Sequence, residues 1–415
     1  MTEATRLEGA IDVTTAAVRG GLAMIEGVHM AIARKPFSAL RIVPAVGEVT
    51  EIVRVVHDGV TRRVYAGIGT VISLAGVAAR VAAATGAADT ELRAGSLGDL
   101  AVSALNGFAG ERLEQEGNPL ACPMTLRHDG RSLSIERRSL AAAFPAPSPR
   151  LAIFVHGLAC NEAAWWFHAE RYYGDEKTSH GSRLAADLGY TPLYFRYNTG
   201  LHISENGRRL ASCLQQLVGE WPIPVDEVVL VGHSMGGLVL RSAMHYGRDL
   251  DWTRRVRHAF YLGSPHLGAP LEKAANAAAW LLKRFEITRP LGAVVNRRSV
   301  GIKDLRFGSI CDEDWRGIDP DALRGGTTSD VPLLEGATHY FIAATVTRNR
   351  RHPFGVAVGD LLVRENSALA RGGRVRRIRF PLENGRHFGP MHHLELLNHP
   401  NVYEQMRRWL DGERS

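Results

Sequence analysis

A serine set among glycines is the first group in this sequence that could do chemistry. The five residues Gly232–Gly236 read Gly-His-Ser-Met-Gly, and they follow the apolar, β-branched run Val228–Val231. This pattern is typical of a nucleophile elbow, a sharp turn from strand to helix that exposes one hydroxyl above the carboxyl end of a parallel sheet. Glycines are needed there because side chains would clash where the strand and the helix fold tightly together. We therefore predict that Ser234 is a nucleophile.

A serine hydroxyl needs a base that removes its proton and an acid that orients the base. In this architecture the acid follows the next-to-last strand and the histidine follows the last strand. We predict that His339–Val346 is the next-to-last strand and that Arg374–Phe380 is the last, half-buried strand. Asp360 and His393 lie at the places where this order needs the acid and the base. The adjacent His392 is an alternative base, which only geometry can separate from His393.

Two backbone amides must also hold the oxyanion of a tetrahedral intermediate. A second buried strand begins at Arg150 and ends in His156-Gly157. The N–H of Leu158, in the loop that follows, is the expected first donor, and the N–H of Met235, directly after the serine, is the second. We predict that His156 braces this loop rather than taking part in the chemistry.

Six segments, in order along the chain from Pro149 to the C-terminus, carry a resemblance to a known family: FVHGLACNEAAW, YNTGLHISENGRRL, VVLVGHSMGGLV, LGSPHLGAPLEK, GDLLVRENSA and HHLELLNHPNVYEQMRRWL. The chain resembles an α/β-hydrolase of the lipase and esterase group, specifically bacterial proteins similar to the GPI inositol-deacylase domain. The resemblance implies the triad Ser234, Asp360 and His393, and an oxyanion hole formed by the amides of Leu158 and Met235. It also implies an ester substrate, for which we expect a hydrophobic acyl chain.

We predict an α/β fold of the α/β-hydrolase type, a mostly parallel central sheet flanked by helices. The hydrolase domain is expected to span residues 118–415 and to open with a hairpin around Asp129-Gly130. An insertion at about residues 267–335 is predicted to be a helical cap or lid, because Leu271–Phe285 places its apolar residues on one face. An ordinary packed helix is the alternative.

The N-terminal region, residues 1–117, is predicted to be all-helical. The segment Asp99–Gln115 is the last of its helices, and a closing amphipathic helix is predicted at the other end of the chain, through Trp409. The N-terminal helices are expected either to pack on the hydrolase domain or another copy of the chain, or to contact a lipid surface. No signal peptide is recognised, and the apolar stretch Val64–Ala79 is too short for a confident membrane span. We therefore expect a protein that is cytoplasmic or peripheral to the membrane.

The charge of the chain does not indicate nucleic-acid binding. Its net charge is +7 and its pI about 9.4, but the basic residues form short groups without an aromatic platform or a helix-turn-helix pattern. A solvated strand face or attraction to anionic lipid accounts better for them.

Neither a metal nor a cofactor is expected. The cysteines have no metal-ligand or redox spacing, and the C-terminal histidines match no zinc pattern: Cys122, Cys160, Cys213 and Cys311; His387, His392, His393 and His399.

The aromatic run Trp165, Trp166 and Phe167 is predicted to form an apolar wall of the substrate pocket, with a place in the core as the alternative. The function predicted from all these residues is a serine carboxylester hydrolase, an esterase or lipase. An acyltransferase or specialised lipid deacylase with the same triad, and a non-catalytic scaffold on a membrane surface, are the alternatives.

Overall fold

The computed structural model describes four stretches of the chain and some single positions: residues 96–268, 298–319, 329–348 and 381–412, with Glu26, Met30, Asp58, Gly69, Ser73, Asp360, Val363, Ser367 and Ile378. The chain divides into two compact units, Met1–Leu105 and Asn106–Ser415. The N-terminal helices predicted before residue 96 lie outside the described residues, apart from the single positions given above.

One sheet organises the second unit. Among the described residues it has eight strands in the order β2-β1-β4-β3-β5-β6-β7-β8. Strand β1 runs antiparallel to β2 and β4, and the other neighbouring pairs are parallel. The predicted α/β-hydrolase fold is therefore confirmed. The strands are β1 Thr125–His128, β2 Arg131–Leu133, β3 Arg150–Val155, β4 Thr191–Arg196, β5 Glu227–His233, β6 Val256–Leu262, β7 Thr338–Ala344 and β8 Gly385–Phe388.

Helices connect these strands. The described α-helices are α1 Leu97–Gln115, α2 Arg137–Ala143, α3 Ala169–Tyr173, α4 His180–Leu188, α5 Ile203–Glu220, α6 Met235–Tyr246, α7 Val300–Asp304 and α8 Pro400–Leu410. Short 3-10 helices cover Glu162–Trp166, Asp251–Arg255, Asp312–Asp314, Leu382–Asn384 and His393–Leu397.

The central strands are buried on both faces, which explains their nearly continuous apolar sequences. In β3, Ile153 points into a core shared with α5 and α6, whereas the next residue, Phe154, points into a second core shared with α4 and α8. The sheet therefore lies between two apolar layers, and the loops at its edges carry the polar chemistry.

Several predicted elements are confirmed. The hairpin forms with Asp129 and Gly130 in the left-handed conformation that its two-residue turn requires. The predicted helix Asp99–Gln115 lies within α1, and the closing amphipathic helix is α8.

The position predicted for the last strand is wrong. Strand β8, Gly385–Phe388, pairs with β7, whereas Arg374–Phe380 lies outside the described residues except for Ile378, which is not in a strand. Strand β8 is short, and only one of its four residues, Phe388, is a large apolar residue. It therefore gives no alternating signal, and its pairing depends on the tertiary position of β7.

The boundary between the two units lies twelve residues earlier than predicted, between Leu105 and Asn106 rather than after residue 117. The second half of α1 belongs to the hydrolase unit. A Cβ atom placed at Gly107 would lie only 2.8 Å from the Cβ of Ala159, and Glu114 forms an ion pair with Arg209. The turn signal Asn118-Pro119 therefore marks the end of a helix rather than the edge of a domain.

Part of the predicted cap insertion is firmly packed. Ser299 Oγ donates to the carbonyl of Gly107 at 2.6 Å, and the buried Asp304 carboxylate accepts the N–H of Ile203 at 2.9 Å, at the start of α5. The predicted helix Leu271–Phe285 lies outside the described residues. The described residues 298–319 are thus a supporting segment of the fold.

Two glycines of α5 give a matched test of how closely α5 and α6 pack. A Cβ at Gly207 would overlap the side chain of Ser242 and lie 2.9 Å from its backbone, whereas a Cβ at Gly219 would meet nothing within 4 Å. We expect Gly207→Ala to lower the free energy of unfolding by about 1–3 kcal/mol, because the helices must separate. Gly219→Ala should leave it unchanged or raise it by up to about 1 kcal/mol. Urea denaturation of both variants measures the difference, and equal effects would contradict the packing described.

Candidate active site

Ser234 lies in a strained turn between β5 and α6. Its φ of 53° and ψ of −123° form a combination that side-chain-bearing residues rarely adopt. The N–H of Ser234 donates to the carbonyl of Leu262, at the end of β6, at 2.8 Å. Ser234 is partly exposed, whereas His233 before it and Met235 after it are buried. The turn therefore presents one hydroxyl at the carboxyl edge of the sheet, as the sequence pattern predicts.

The glycines of the motif are needed because other parts of the backbone lie directly against them and leave no room for a side chain. A Cβ at Gly232 would lie 2.6 Å from the Cα of Gly237, where strand and helix meet. A Cβ at Gly236 would overlap the carbonyl oxygen of Val155, at the end of β3. The first turn of α6 thus lies directly against the loop that follows β3.

The predicted acid and base are hydrogen-bonded to each other. His393 Nδ1 and Asp360 Oδ2 are 2.7 Å apart, and the backbone N–H of His393 donates to the carbonyl of Asp360 at 3.0 Å. The other carboxylate oxygen accepts the N–H of Val363 at 2.7 Å. Asp360 and His393 are both buried. The carboxylate is therefore fixed from both sides and sets the orientation of the imidazole.

The remaining ring nitrogen of His393 is available for a proton. Because Nδ1 donates its hydrogen to Asp360, a neutral ring carries a lone pair on Nε2. In the part of the chain that the structure describes, this buried Nε2 has no hydrogen-bond partner. A Cβ at Gly263 would lie 3.0 Å from His393 Cε1, and the residue before it, Leu262, binds the amide of Ser234. The end of β6 thus contacts both the serine turn and the histidine ring.

The geometry separates the two candidate histidines. His392 Nε2 lies 3.7 Å from Glu395 Oε2, and the His392 amide donates to the same carboxylate at 2.8 Å. Burial lowers the pKa of His392, although Glu395 opposes this effect. Asp360 is bonded to His393, so the structure pairs His392 with a different acid.

The loop after β3 adjoins the serine turn. A Cβ at Gly157 would lie 3.0 Å from the Cβ of Ser234. The chain then turns, with the N–H of Cys160 donating to the carbonyl of Gly157 at 3.3 Å and Leu158 inside the turn. Met235 is the first residue of α6, where helical N–H groups have no partner within the helix and the helix dipole favours negative charge. Gly157 and Ser234 are thus in close contact, and each is followed directly by a predicted oxyanion donor, Leu158 and Met235 respectively.

His156 supports this loop. Its buried ring stacks on Tyr197 with centroids 4.5 Å apart, and Nδ1 donates to the carbonyl of Gly157 at 2.9 Å. Burial lowers the pKa of His156 to about 4, so the ring is neutral at physiological pH. These contacts agree with the predicted bracing role.

His233 is a contributor that the sequence reasoning missed. Its Nε2–H donates to the carbonyl of His393 at 3.1 Å, and the two rings lie 4.7 Å apart. Burial lowers the pKa of His233 well below its usual value, which keeps the ring neutral. The residue directly before Ser234 therefore holds the backbone of His393, although in the sequence it occupies only a variable place in the motif.

A buried ion cluster anchors the chain just after the loop. Glu162 accepts hydrogen bonds from Arg127 Nε at 3.1 Å and Arg196 Nε at 2.6 Å, from β1 and β4 respectively. Burial alone would raise the pKa of Glu162, but the hydrogen bond and charge of Arg196, together with the charge of Arg127, lower it overall. No spacing rule connects these three residues, so only the fold reveals them.

The three aromatic residues predicted to form a pocket wall lie in different surroundings. Trp165 is fully buried and packs edge-on against Phe154, 5.0 Å away, so it belongs to the core. Trp166 donates from Nε1 to the carbonyl of Lys177 at 3.0 Å. Phe167 is partly exposed and its ring lies 6.1 Å from that of His392. Phe167 is thus a partly exposed aromatic residue beside the segment that carries His392 and His393.

Cys160 ends the turn that follows β3, but its thiol is poorly suited to be a nucleophile. Burial raises the pKa of the Cys160 thiol to about 11, which keeps it protonated near neutral pH. Within the described ranges, no group of three or more His, Cys, Asp or Glu side chains is arranged to hold a metal ion. Across the same residues, no helix combines the length and apolar character that crossing a membrane requires.

The doubly wound sheet with the strained turn at Ser234 defines an α/β-hydrolase fold, and the Asp360–His393 pair lies where such a fold can carry an acid and a base. A family comparison agrees: residues 147–309, less than half of the chain, match the family described as "Putative serine esterase (DUF676)". That match contains Ser234 and the loop after β3. None of the curated proteins matches the chain.

Solved structures with a similar arrangement include lipases and a phospholipase. Bacillus licheniformis lipase BlEst2 in its propeptide form is 20% identical with a TM-score of 0.43, and the match covers 64% of this chain and 51% of BlEst2. Aspergillus fumigatus lipase B is 13% identical (TM-score 0.38, 66% of this chain and 57% of that one). Legionella pneumophila phospholipase PlaB is 12% identical (TM-score 0.36, 64% and 63%). The chain thus spans about half the length of BlEst2 in that form.

Alanine substitution of the two adjacent histidines tests the pairing with Asp360. We expect His393→Ala to lower kcat for a soluble ester by at least about four orders of magnitude, because it removes the predicted base. His392→Ala, the matched control, should change kcat by less than about tenfold, because its ring lies 3.7 Å from Glu395, whereas Asp360 is bonded to His393. Steady-state kinetics with a p-nitrophenyl ester gives both values. A larger loss in His392→Ala would reverse the assignment.

Buried neutral histidines should make the fold sensitive to acid. Burial lowers the pKa of His156, His180 and His339 to about 4 each, whereas an unfolded chain protonates them near 6.5. Between these values the unfolded state binds the protons and the folded state does not. The free energy of unfolding should therefore fall as pH drops from about 6.5 to 4, by up to about 3 kcal/mol per group.

Melting temperatures from pH 4 to 7.5 measure this effect, and His180→Gln isolates one group. Its curve should be flatter than that of the wild type between pH 4 and 6.5. Superimposable slopes would show that His180 does not contribute.

Proposed function

We propose that the protein is a serine carboxylester hydrolase that acts through Ser234, His393 and Asp360 and an acyl-enzyme intermediate. The single observation that carries this proposal is the 2.7 Å bond between His393 and Asp360, which leaves Nε2 of His393 unbonded next to the strand end that also holds Ser234. A serine hydroxyl beside a base that is itself oriented by an acid is the arrangement required for nucleophilic catalysis.

In the proposed reaction, His393 Nε2 removes the proton of Ser234 as its oxygen attacks the ester carbonyl. Asp360 holds the ring in the required tautomer and stabilises the imidazolium. The amides of Leu158 and Met235 bind the negatively charged oxygen of the tetrahedral intermediate. His393 then protonates the leaving alcohol, and water attacks the acyl-enzyme by the same steps to release the acid.

The proposed substrate is an ester with an apolar acyl group. Leu394, directly after the base, is one of the few large apolar side chains that the described residues expose, and Phe167 lies beside His392 in the neighbouring loop. Apolar side chains beside a reacting carbonyl bind an acyl chain by removing its surface from water. These two residues support a lipid-like or other hydrophobic ester over a charged one.

Ser234→Ala is the direct test of the proposal. We expect kcat to fall by about four to six orders of magnitude with the fold intact, because the nucleophile is lost. The assay is hydrolysis of p-nitrophenyl esters from acetate to palmitate, with Ser212→Ala on the exposed face of α5 as the matched control. Substantial turnover by purified Ser234→Ala would reject Ser234 as the nucleophile.

The same assay tests the acceptor and the acyl preference. The chain length that gives the highest kcat/KM places the enzyme nearer to an esterase or a lipase. Adding a short alcohol and analysing the products shows whether the acyl group passes to water or to the alcohol. Ester exchange that exceeds hydrolysis would favour the acyltransferase alternative.

A further inference from the structure

The segment that follows β4 holds the loop that follows β3 from two sides. Tyr197 Oη donates to the carbonyl of His156 at 2.8 Å, before the turn that contains Leu158. Thr199 Oγ1 accepts the N–H of Ala159 at 3.1 Å, inside that turn. Both side chains are almost fully buried. They therefore act on the loop within the protein rather than on a substrate.

The first peptide of the turn is fixed by its carbonyl. The Gly157 oxygen accepts the N–H of Cys160 at 3.3 Å and Nδ1–H of His156 at 2.9 Å. A trans peptide is planar, so its N–H points opposite to its C=O. Fixing the Gly157 carbonyl therefore also fixes the direction of the Leu158 N–H, the proposed oxyanion donor.

The central peptide of the turn, between Leu158 and Ala159, needs a separate restraint. Ala159 has a φ of 58°, a left-handed conformation that is unfavourable for a residue with a side chain. Rotation of this central peptide would relieve the strain and convert the turn to another type. The N–H of this peptide, which belongs to Ala159, donates to the hydroxyl of Thr199, and it has no other partner among the described residues. Loss of this hydrogen bond would let the turn change shape, which would weaken the hydrogen bond from Cys160 to Gly157 that helps to fix the Leu158 amide.

Thr199 is itself held firmly in place. The side chain of Asn198, directly before it, accepts the N–H of Gly200 at 3.0 Å and donates to the carbonyl of Gly110 in α1 at 2.9 Å. On the other side, the Thr199 carbonyl lies so close to Gly301 in α7 that a Cβ there would overlap it. The hydroxyl is therefore presented from a rigid backbone.

We propose that Thr199 is a positioning residue of the oxyanion hole, whose hydroxyl locks the turn that aims the Leu158 amide. This inference rests on the proposed function, since it concerns the same site. Thr199 acts through Ala159 and touches neither the substrate nor the triad. Its effect should therefore fall on stabilisation of the transition state rather than on ground-state binding.

The test compares Thr199→Val, which keeps the shape of the side chain but removes the acceptor, with Thr199→Ser, which keeps the hydroxyl. We expect Thr199→Val to lower kcat about 10- to 100-fold, less than removal of an oxyanion donor outright, with KM changed less than about threefold. Affinity for a boronic acid that mimics the tetrahedral intermediate should fall in parallel. Thr199→Ser should recover most of both values.

Thr191→Val is the matched control. Thr191 lies at the opposite end of β4, is also buried, and accepts the N–H of Ser148 at 3.2 Å. The same atoms and the same kind of hydrogen bond are lost, but far along the strand from Ser234, so kcat should be unchanged. Thr199→Ala is assayed as well, so that the result does not depend on how valine fits.

The outcomes distinguish this inference from the proposed function. An active wild type with unchanged kcat in Thr199→Val and Thr199→Ala would overturn the inference and leave the triad standing. An equal loss in Thr199→Ser, or in Thr191→Val, would also overturn it, because the effect would then be general destabilisation. Wild-type protein that neither hydrolyses esters nor reacts with a fluorophosphonate would instead reject the proposed function.

Discussion

The strained backbone at Ser234 is the constraint on which the rest of the site depends. A residue in this conformation is costly unless the surrounding structure determines it fully. Here the amide is bonded to the end of β6, and the helix that follows is pressed against the carbonyl of Val155. The ring of His393 meets the same strand end through Gly263. Ser234, His393 and the loop that follows β3 thus converge on one turn and the strand end beside it.

Burial sets the electrostatics around that turn. His156 and His233 flank it as neutral rings, because desolvation lowers the pKa of each. Neutral imidazoles supply directed hydrogen bonds without adding positive charge beside His393. A hydrogen bond in such a poorly solvated place is stronger than one in water, so the bond between Asp360 and His393 orients the ring firmly. Charged side chains lie beyond the loop that follows β3, where Arg127 and Arg196 neutralise Glu162.

Local sequence patterns predict most of the fold but only part of the site. The apolar strands, the hairpin turn and the serine turn are encoded within a few residues, and each is found where it was predicted. The pairing of His393 with Asp360, rather than His392, depends on packing across 33 residues of chain and is visible only in three dimensions. Strand β8 and the contact of Thr199 have no local signal either. These features depend on contacts between residues that are far apart in the chain, so local sequence patterns do not predict them.

The second half of α1 has a practical consequence for shortening the chain. A version that began at residue 118, where the sequence suggests a boundary, would lose Gly107, Gly110 and Glu114. These residues contact the loop that follows β3, Asn198 and Arg209 respectively. The shortened protein would then have an exposed core and a loosened loop after β3. It would behave as a misfolded protein, not as one that has lost a dispensable extension. A start at Asn106, the first residue of the second unit, would keep all three contacts.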